Sequence, residues 1–246
     1  MTARPQTGGH TGTAAGPLGA AIVTGAASGI GAATAAELIA RGWAVAGFDL
    51  RPAHDCTVAF EVDMTDNAAV AAAVESATTA LGGIGAAVSV AGYYEMRPVC
   101  DITVDEWTRM LRVHIGGFVN LSRAVLPSML DRGSGAIVAC SSELAIGGGD
   151  GDAHYAAAKG ALLGIVRSLG AELAPRGIRV NAVAPGPTDT PLLSADSPWR
   201  APDYLATLPL RRLVSPQEVA LCVAFLVENG TFCIGETLNP NAGAVI

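Results

Sequence analysis

The 246-residue sequence contains no run of basic residues, and its formal net charge is −7. A nucleic-acid partner is therefore not expected, because phosphate backbones are held by clustered positive charge. Its five cysteines, Cys56, Cys100, Cys140, Cys222 and Cys233, are scattered, odd in number and never spaced Cys-x-x-Cys. That spacing excludes the usual cysteine metal motifs, so no metal is expected, and it suits reduced thiols in a cytoplasmic protein. No apolar run reaches the roughly 18 residues that span a bilayer, so no membrane partner is expected. The first 17 residues contain Thr, Gly, Pro and a single Arg but no apolar signal-peptide core. They are expected to form a disordered tail. No repeat, linker or second domain is visible.

What the chain does have is apolar residues, which make up 50% of it. This length and composition suit one α/β domain from residue 18 to 246, since such folds often reach about 250 residues as one unit.

The short apolar strand Ala20 to Val23 runs into Thr24-Gly25-Ala26-Ala27-Ser28-Gly29-Ile30-Gly31, and a helical run follows from Ala32 to Arg41. A strand, a glycine-rich turn and a helix N-terminus together make a site for a pyrophosphate. The next strand, Trp43 to Phe48, ends in Asp49, which lies 18 residues after Gly31. A ribose-binding acid is expected at a spacing of roughly 20. A carboxylate there accepts from both ribose hydroxyls and repels a 2′-phosphate, which favours NAD(H). Arg51 can soften that preference, and Asp49 can also be read as a simple loop acid.

Further strands are expected at Val58 to Val62, ending near Asp63, and at Ala86 to Ala91, ending at Gly92. Ala136 to Cys140 leads to Ser141 and Ser142, Ile178 to Ala184 leads to Pro185-Gly186-Pro187, and Ile234 to Leu238 comes last. Helices are expected from Asp66, as cap, to Leu81, from Thr103 to Leu130 with a bend near Gly116-Gly117, from Tyr155 to Leu173, and from Pro216 to Val227 with Ser215 as cap. Strands that alternate with helices predict a parallel, doubly wound α/β sheet with helices on both faces, a Rossmann fold. Ligands of such sheets sit at the carboxyl ends of strands, where Asp49, Asp63, Gly92 and Ser142 all fall.

Tyr155 and Lys159 are four apart on the expected helix and share a face. A nearby ammonium lowers the pKa of a phenol, which can then exchange a proton with an alcohol or carbonyl oxygen. Ser142, at a strand end, can hold that same oxygen.

Taken together, Thr24-Gly25-x-x-x-Gly29-Ile30-Gly31, Asp63, Ala91-Gly92, Ser142, Tyr155-x-x-x-Lys159, Asn181, Pro185-Gly186 and Thr190 resemble the short-chain dehydrogenase/reductase family from about residue 18 onward. The resemblance implies Tyr155 as general acid/base, Lys159 as the group that tunes it and binds the nicotinamide ribose, and Ser142 as the holder of the substrate oxygen. It implies Gly25, Ser28, Gly29, Ile30 and Gly31 around the pyrophosphate, Asp49 at the adenosine ribose and Asp63 at the adenine. Gly92, Pro185, Gly186, Thr188 and Thr190 would border the nicotinamide and its ribose. It also implies a homotetramer paired through the helices near 103–130 and 155–173.

Two positions depart from the family pattern. Val90 stands where an asparagine is usual after the fourth strand. His114 stands where another asparagine is usual. The resemblance implies that this position's main-chain carbonyl supports a water in a proton relay from Lys159, which any residue can provide. His114 is therefore expected to be tolerated, and its imidazole can carry protons itself. His154 is expected to be structural.

The substrate pocket is expected to include Tyr94, Glu143, Leu192, Leu193, Trp199 and Tyr204, with the 188–210 segment as a lid. Glu143 can meet a second hydroxyl or an amine, or face solvent. The leading expectation is an NAD-dependent dehydrogenase of a small-molecule secondary alcohol, diol or polyol. The alternatives are a 3-oxoacyl thioester reductase and a non-catalytic nicotinamide sensor.

Overall fold

The computed structural model describes residue 16 and residues 18–246. The expected tail, residues 1–17, thus lies outside the described residues except for Gly16.

Seven strands form one parallel sheet: β1 (Ala20–Thr24), β2 (Ala44–Asp49), β3 (Val58–Glu61), β4 (Ile84–Ser89), β5 (Gly135–Cys140), β6 (Ile178–Val183) and β7 (Thr237–Leu238), in the order β3-β2-β1-β4-β5-β6-β7. This is the doubly wound Rossmann arrangement. The winding reverses between β1 and β4, which opens a crevice at their carboxyl ends.

The central strands β1, β4 and β5 are mostly apolar because both faces are covered. Side chains alternate between two cores. Ala20, Ile22, Ile137 and Ala139 join a core with helices α2 (Asn67–Leu81), α4 (Gly117–Arg132) and α6 (Ala153–Leu173). Ala21, Val23, Ala136 and Val138 join a core with α1 (Gly29–Ala40) and α8 (Pro216–Glu228).

The expected caps are present. Asp66 accepts from the amides of Ala68 and Ala69. Ser215 and Glu218 form a capping box with Pro216 at the first helical position.

Some boundaries move for local reasons. Helix α1 starts at Gly29 rather than Ala32, with Ser28 as its extended N-cap. Strand β4 ends at Ser89 because the amides of Val90 and Ala91 both turn to Thr24 Oγ1, each at 3.0 Å. Strand β7 shrinks to two residues because Gly235 takes a φ of 69°, outside strand geometry. The bend expected near Gly116 is a π-helical turn, Arg112–Gly116, between α3 (Val104–Leu111) and α4.

The expected loop at 188–210 holds a 3₁₀ turn, Pro198–Arg200, and helix α7 (Pro202–Thr207). Arg200 fastens it to Asp189 at 2.7 Å. A short helix α5 (Leu144–Gly147) follows Ser142 and Glu143.

Candidate active site

A cavity of about 750 Å³ runs along the carboxyl ends of the strands. Its two ends differ in chemistry.

At one end lies the turn between β1 and α1. Gly25, Ser28, Gly29 and Ile30 line it, with Asp49 and Asp63 beside them. Gly31 does not line it. A Cβ there would sit 2.1 Å from the Gly25 carbonyl oxygen, so Gly31 lets the helix close onto the turn. The Ser28 side chain caps no amide of α1 among the described residues. The first-turn N–H groups are therefore left to an anion. The Asp49 carboxylate accepts from the amide of Ala27 at 3.0 Å and from that of Arg51 at 3.1 Å. It keeps lone pairs for further donors. The Arg51 guanidinium reaches Ser28 Oγ at 3.1 Å. Asp63 accepts from the amide of Thr65 at 2.8 Å.

At the other end Ser142, Tyr155 and Lys159 meet on one wall, with Gly92, Pro185, Gly186, Thr188 and Thr190 lining the stretch between. Helix α6 is pinned to the end of β5 by two bonds. Lys159 Nζ donates to the Cys140 carbonyl at 2.7 Å, and Ser141 Oγ donates to the Lys159 carbonyl at 2.8 Å. Tyr155 and Lys159 are both buried, as their shared helix face predicts.

The expected fall in the Tyr155 pKa is reversed. Burial pushes the phenol up, and the neighbouring Cys140 and Glu143 add to the rise. Lys159 lies 5.6 Å from the Tyr155 ring centroid, and burial lowers its own pKa. Its ammonium is directed at a carbonyl rather than at the phenol.

His114 sits in the π-helical turn, edge-on to Tyr155 with ring centroids 5.5 Å apart. Its Nε2 lies 2.9 Å from the Tyr93 carbonyl, which can only accept, so Nε2 carries the proton. Nδ1 is buried without a partner among the described residues. Burial, then the Lys159 charge, hold the imidazole well below its ordinary pKa. A Cβ on Gly92 would stand 2.3 Å from His114 Cε1, so the glycine makes room for the ring.

Beyond Ser142 the wall is acidic. Ser142 Oγ donates to Glu143 Oε2 at 3.0 Å and accepts from the Leu144 amide at 3.2 Å. Glu143 is buried rather than facing solvent, being 7% exposed. Burial pushes its carboxyl up to about 7 against the pull of the Ser142 hydrogen bond. Tyr94 donates to Asp152 Oδ1 at 2.8 Å and accepts from Trp199 Nε1 at 3.0 Å. Leu192 and Trp199 line the cavity, whereas Tyr204 lies behind Trp199, with ring centroids 4.8 Å apart.

A family model described as enoyl-(acyl carrier protein) reductase matches residues 25–244. The chain is 38% identical to cis-4-hydroxycyclohexanecarboxylate dehydrogenase of Sinomonas cyclohexanicum, over 91% of this chain and 95% of that one. The chain belongs to the short-chain dehydrogenase/reductase family. It is also 34% identical to a 3-oxoacyl-[acyl-carrier-protein] reductase of Salmonella typhimurium, over 91% of this chain and 96% of that one. Among solved structures it resembles the 3-ketoacyl-(acyl-carrier-protein) reductase of Brucella melitensis complexed with NADH. That match has a TM-score of 0.86 and 27% identity, and covers 93% of this chain and 98% of that one.

Within this short-chain dehydrogenase/reductase the expected site residues come together with two exceptions, Gly31 beneath the turn and Tyr204 behind Trp199. One participant escaped sequence reading. Asp152 looks like an ordinary cap ahead of a helix, yet it is buried and turned to Tyr94. Tyr93 acts through its carbonyl on His114, and nothing in a side chain signals that. At the Val90 departure the main-chain amide donates to Thr24 Oγ1 at 3.0 Å.

Proposed function

We propose that this chain is an NAD(H)-dependent oxidoreductase that interconverts a secondary alcohol, diol or polyol with its ketone. The observation that carries the reading is one cavity with a phosphate-type turn and Asp49 at one end, and Ser142, Tyr155 and Lys159 at the other.

The residues present fit a nicotinamide dinucleotide. The uncapped first turn of α1 suits the pyrophosphate, Asp49 has lone pairs for two ribose hydroxyls, and the lining runs without a break to Tyr155. The Asp49 charge opposes a 2′-phosphate, which favours NAD(H). Arg51, the nearest cation, is directed at Ser28. When bound, the nicotinamide supplies the hydride acceptor or donor.

The chain's own residues do the rest. Ser142 holds the reacting oxygen. Tyr155 passes its proton to a carbonyl oxygen in reduction and takes one from the hydroxyl in oxidation. Lys159, held at the Cys140 carbonyl, would hold the nicotinamide ribose and keep a positive charge near Tyr155. His114 fixes the loop at Tyr93 and Gly92. Leu144, Pro187, Leu192 and Trp199 exclude water from the reacting carbon.

A second reading, reduction of a 3-oxoacyl thioester, is favoured by the two acyl-carrier-protein reductases to which the chain is similar. Affinity for NADH and NADPH, followed by turnover of secondary alcohols and of a 3-oxoacyl thioester, separates the two. NADH preference with alcohol oxidation supports the first reading. NADPH preference with thioester reduction replaces it.

We also propose a homotetramer. Ala157 and Gly164 leave part of α6 exposed and flat enough for a second helix to approach closely. Light scattering coupled to size exclusion tests this. A monomer would contradict it.

A further inference from the structure

Glu143 lines the cavity beside Ser142 and has no cation paired with it among the described residues. The two cations on the cavity wall are engaged elsewhere, Lys159 with the Cys140 carbonyl and Arg51 with Ser28 at the far end. The other acid nearby, Asp152, repels Glu143 and accepts the hydrogen bond of Tyr94. Tyr94 accepts from Trp199, so its hydroxyl hydrogen and one lone pair are already used. The one donor side chain on Glu143 is Ser142, at 3.0 Å.

That bond has a consequence for the reaction. A serine hydroxyl has a single proton. While Ser142 gives it to Glu143, it cannot give it to the reacting oxygen. A buried acid whose side-chain donor is a single serine hydroxyl is costly to keep, and a ligand that brings a donor relieves that cost. A reacting oxygen in hydrogen-bond reach of Ser142 lies beside Glu143, so a donor on the neighbouring carbon of the same substrate reaches the carboxylate.

Resting on the reading above, we propose that Glu143 makes this a site for alcohols with a second hydrogen-bond donor, hydroxyl or ammonium, on the carbon next to the reacting one. The donor takes the place of Ser142 on Glu143, and the Ser142 proton turns to the reacting oxygen. A carboxylate at that carbon meets Glu143 and Asp152 as like charges, and a thioester brings no donor to it.

The test is kcat/KM with NAD+ for 2,3-butanediol, 1-amino-2-propanol, 2-butanol and 3-hydroxybutanoate. It compares wild type with Glu143→Gln and Glu143→Leu, and NADH affinity reports that each variant is folded. In wild type the diol and the amino alcohol exceed 2-butanol by about tenfold or more, and 3-hydroxybutanoate falls below it. Glu143→Leu brings the ratio of diol to 2-butanol to within about threefold of one. Glu143→Gln keeps part of the diol preference but loses that for the amino alcohol, because the amide has no charge for the ammonium. Turnover of 2-butanol equal to that of the diol in wild type, or an unchanged ratio in Glu143→Leu, overturns the proposal and leaves the catalytic reading standing. Intact NADH binding with no turnover of any of the four overturns both.

Discussion

Lys159 donates to the main-chain carbonyl of Cys140, 19 residues before it, at 2.7 Å. The ammonium is thereby held at the end of β5, under the phenol of Tyr155. Lys159→Met removes both this anchor and the charge. Turnover is expected to fall about 100-fold or more, with weaker NADH binding. The kcat and the NADH dissociation constant check this. Activity within about tenfold of wild type would contradict the role.

Asp49 is set by the amides of Ala27 and Arg51, with the Arg51 guanidinium 3.9 Å away. Asp49→Ala takes away the charge proposed to face the adenosine ribose. NADH affinity is expected to drop about tenfold, the equivalent of about 1.4 kcal/mol, and the gap to NADPH to narrow. Parallel fluorescence titrations with both cofactors decide it. An unchanged ratio would leave Asp49 as a loop acid.

His114 donates from Nε2 to the Tyr93 carbonyl, and burial keeps the ring neutral. Asparagine can make the same kind of bond from its amide. His114→Asn is expected to retain activity within about tenfold, or about 1.4 kcal/mol of barrier. A far larger loss would show that the imidazole itself moves a proton.

Glu143 ties the protein's stability to pH. Its carboxyl is pushed from an ordinary 4.5 up to about 7 by burial, with Ser142, Tyr155, Tyr94, Asp152 and Tyr204 around it. A carboxyl whose folded pKa exceeds its unfolded one holds its proton more tightly when folded. Its contribution is present in full below pH 4.5 and is lost as pH rises through about 7. The loss is on the order of 3 kcal/mol. Glu143→Gln is therefore expected to melt several degrees above wild type at about pH 8, and the difference to shrink toward about pH 5. Melting curves across this range check the prediction. A constant difference between the two proteins would contradict it.

Much of this was legible in the residues themselves. The glycine turn, the acid at the end of β2 and the four-residue spacing of Tyr155 and Lys159 are local patterns, and local backbone geometry follows from them. The contacts that tune the site are not local. Tyr155 gains its environment from Tyr94, His114 and Glu143, which come from three separate segments, so the direction of its pKa could not be read from Lys159 alone. Asp152 and Tyr94 are 58 residues apart, and neither position announces the other. Strand β7 is shorter than expected because a single left-handed glycine, Gly235, breaks the extended backbone between Ile234 and Thr237.

Tyr155 is proposed to carry the proton in an NAD(H)-linked alcohol oxidation. The most direct measurement is NADH formation from NAD+ and 2,3-butanediol by wild type and Tyr155→Phe, with NADH binding titrated on both. Both proteins are expected to bind NADH alike, and the variant to lose about 100-fold or more in turnover. Turnover by Tyr155→Phe within about tenfold of wild type would contradict the account.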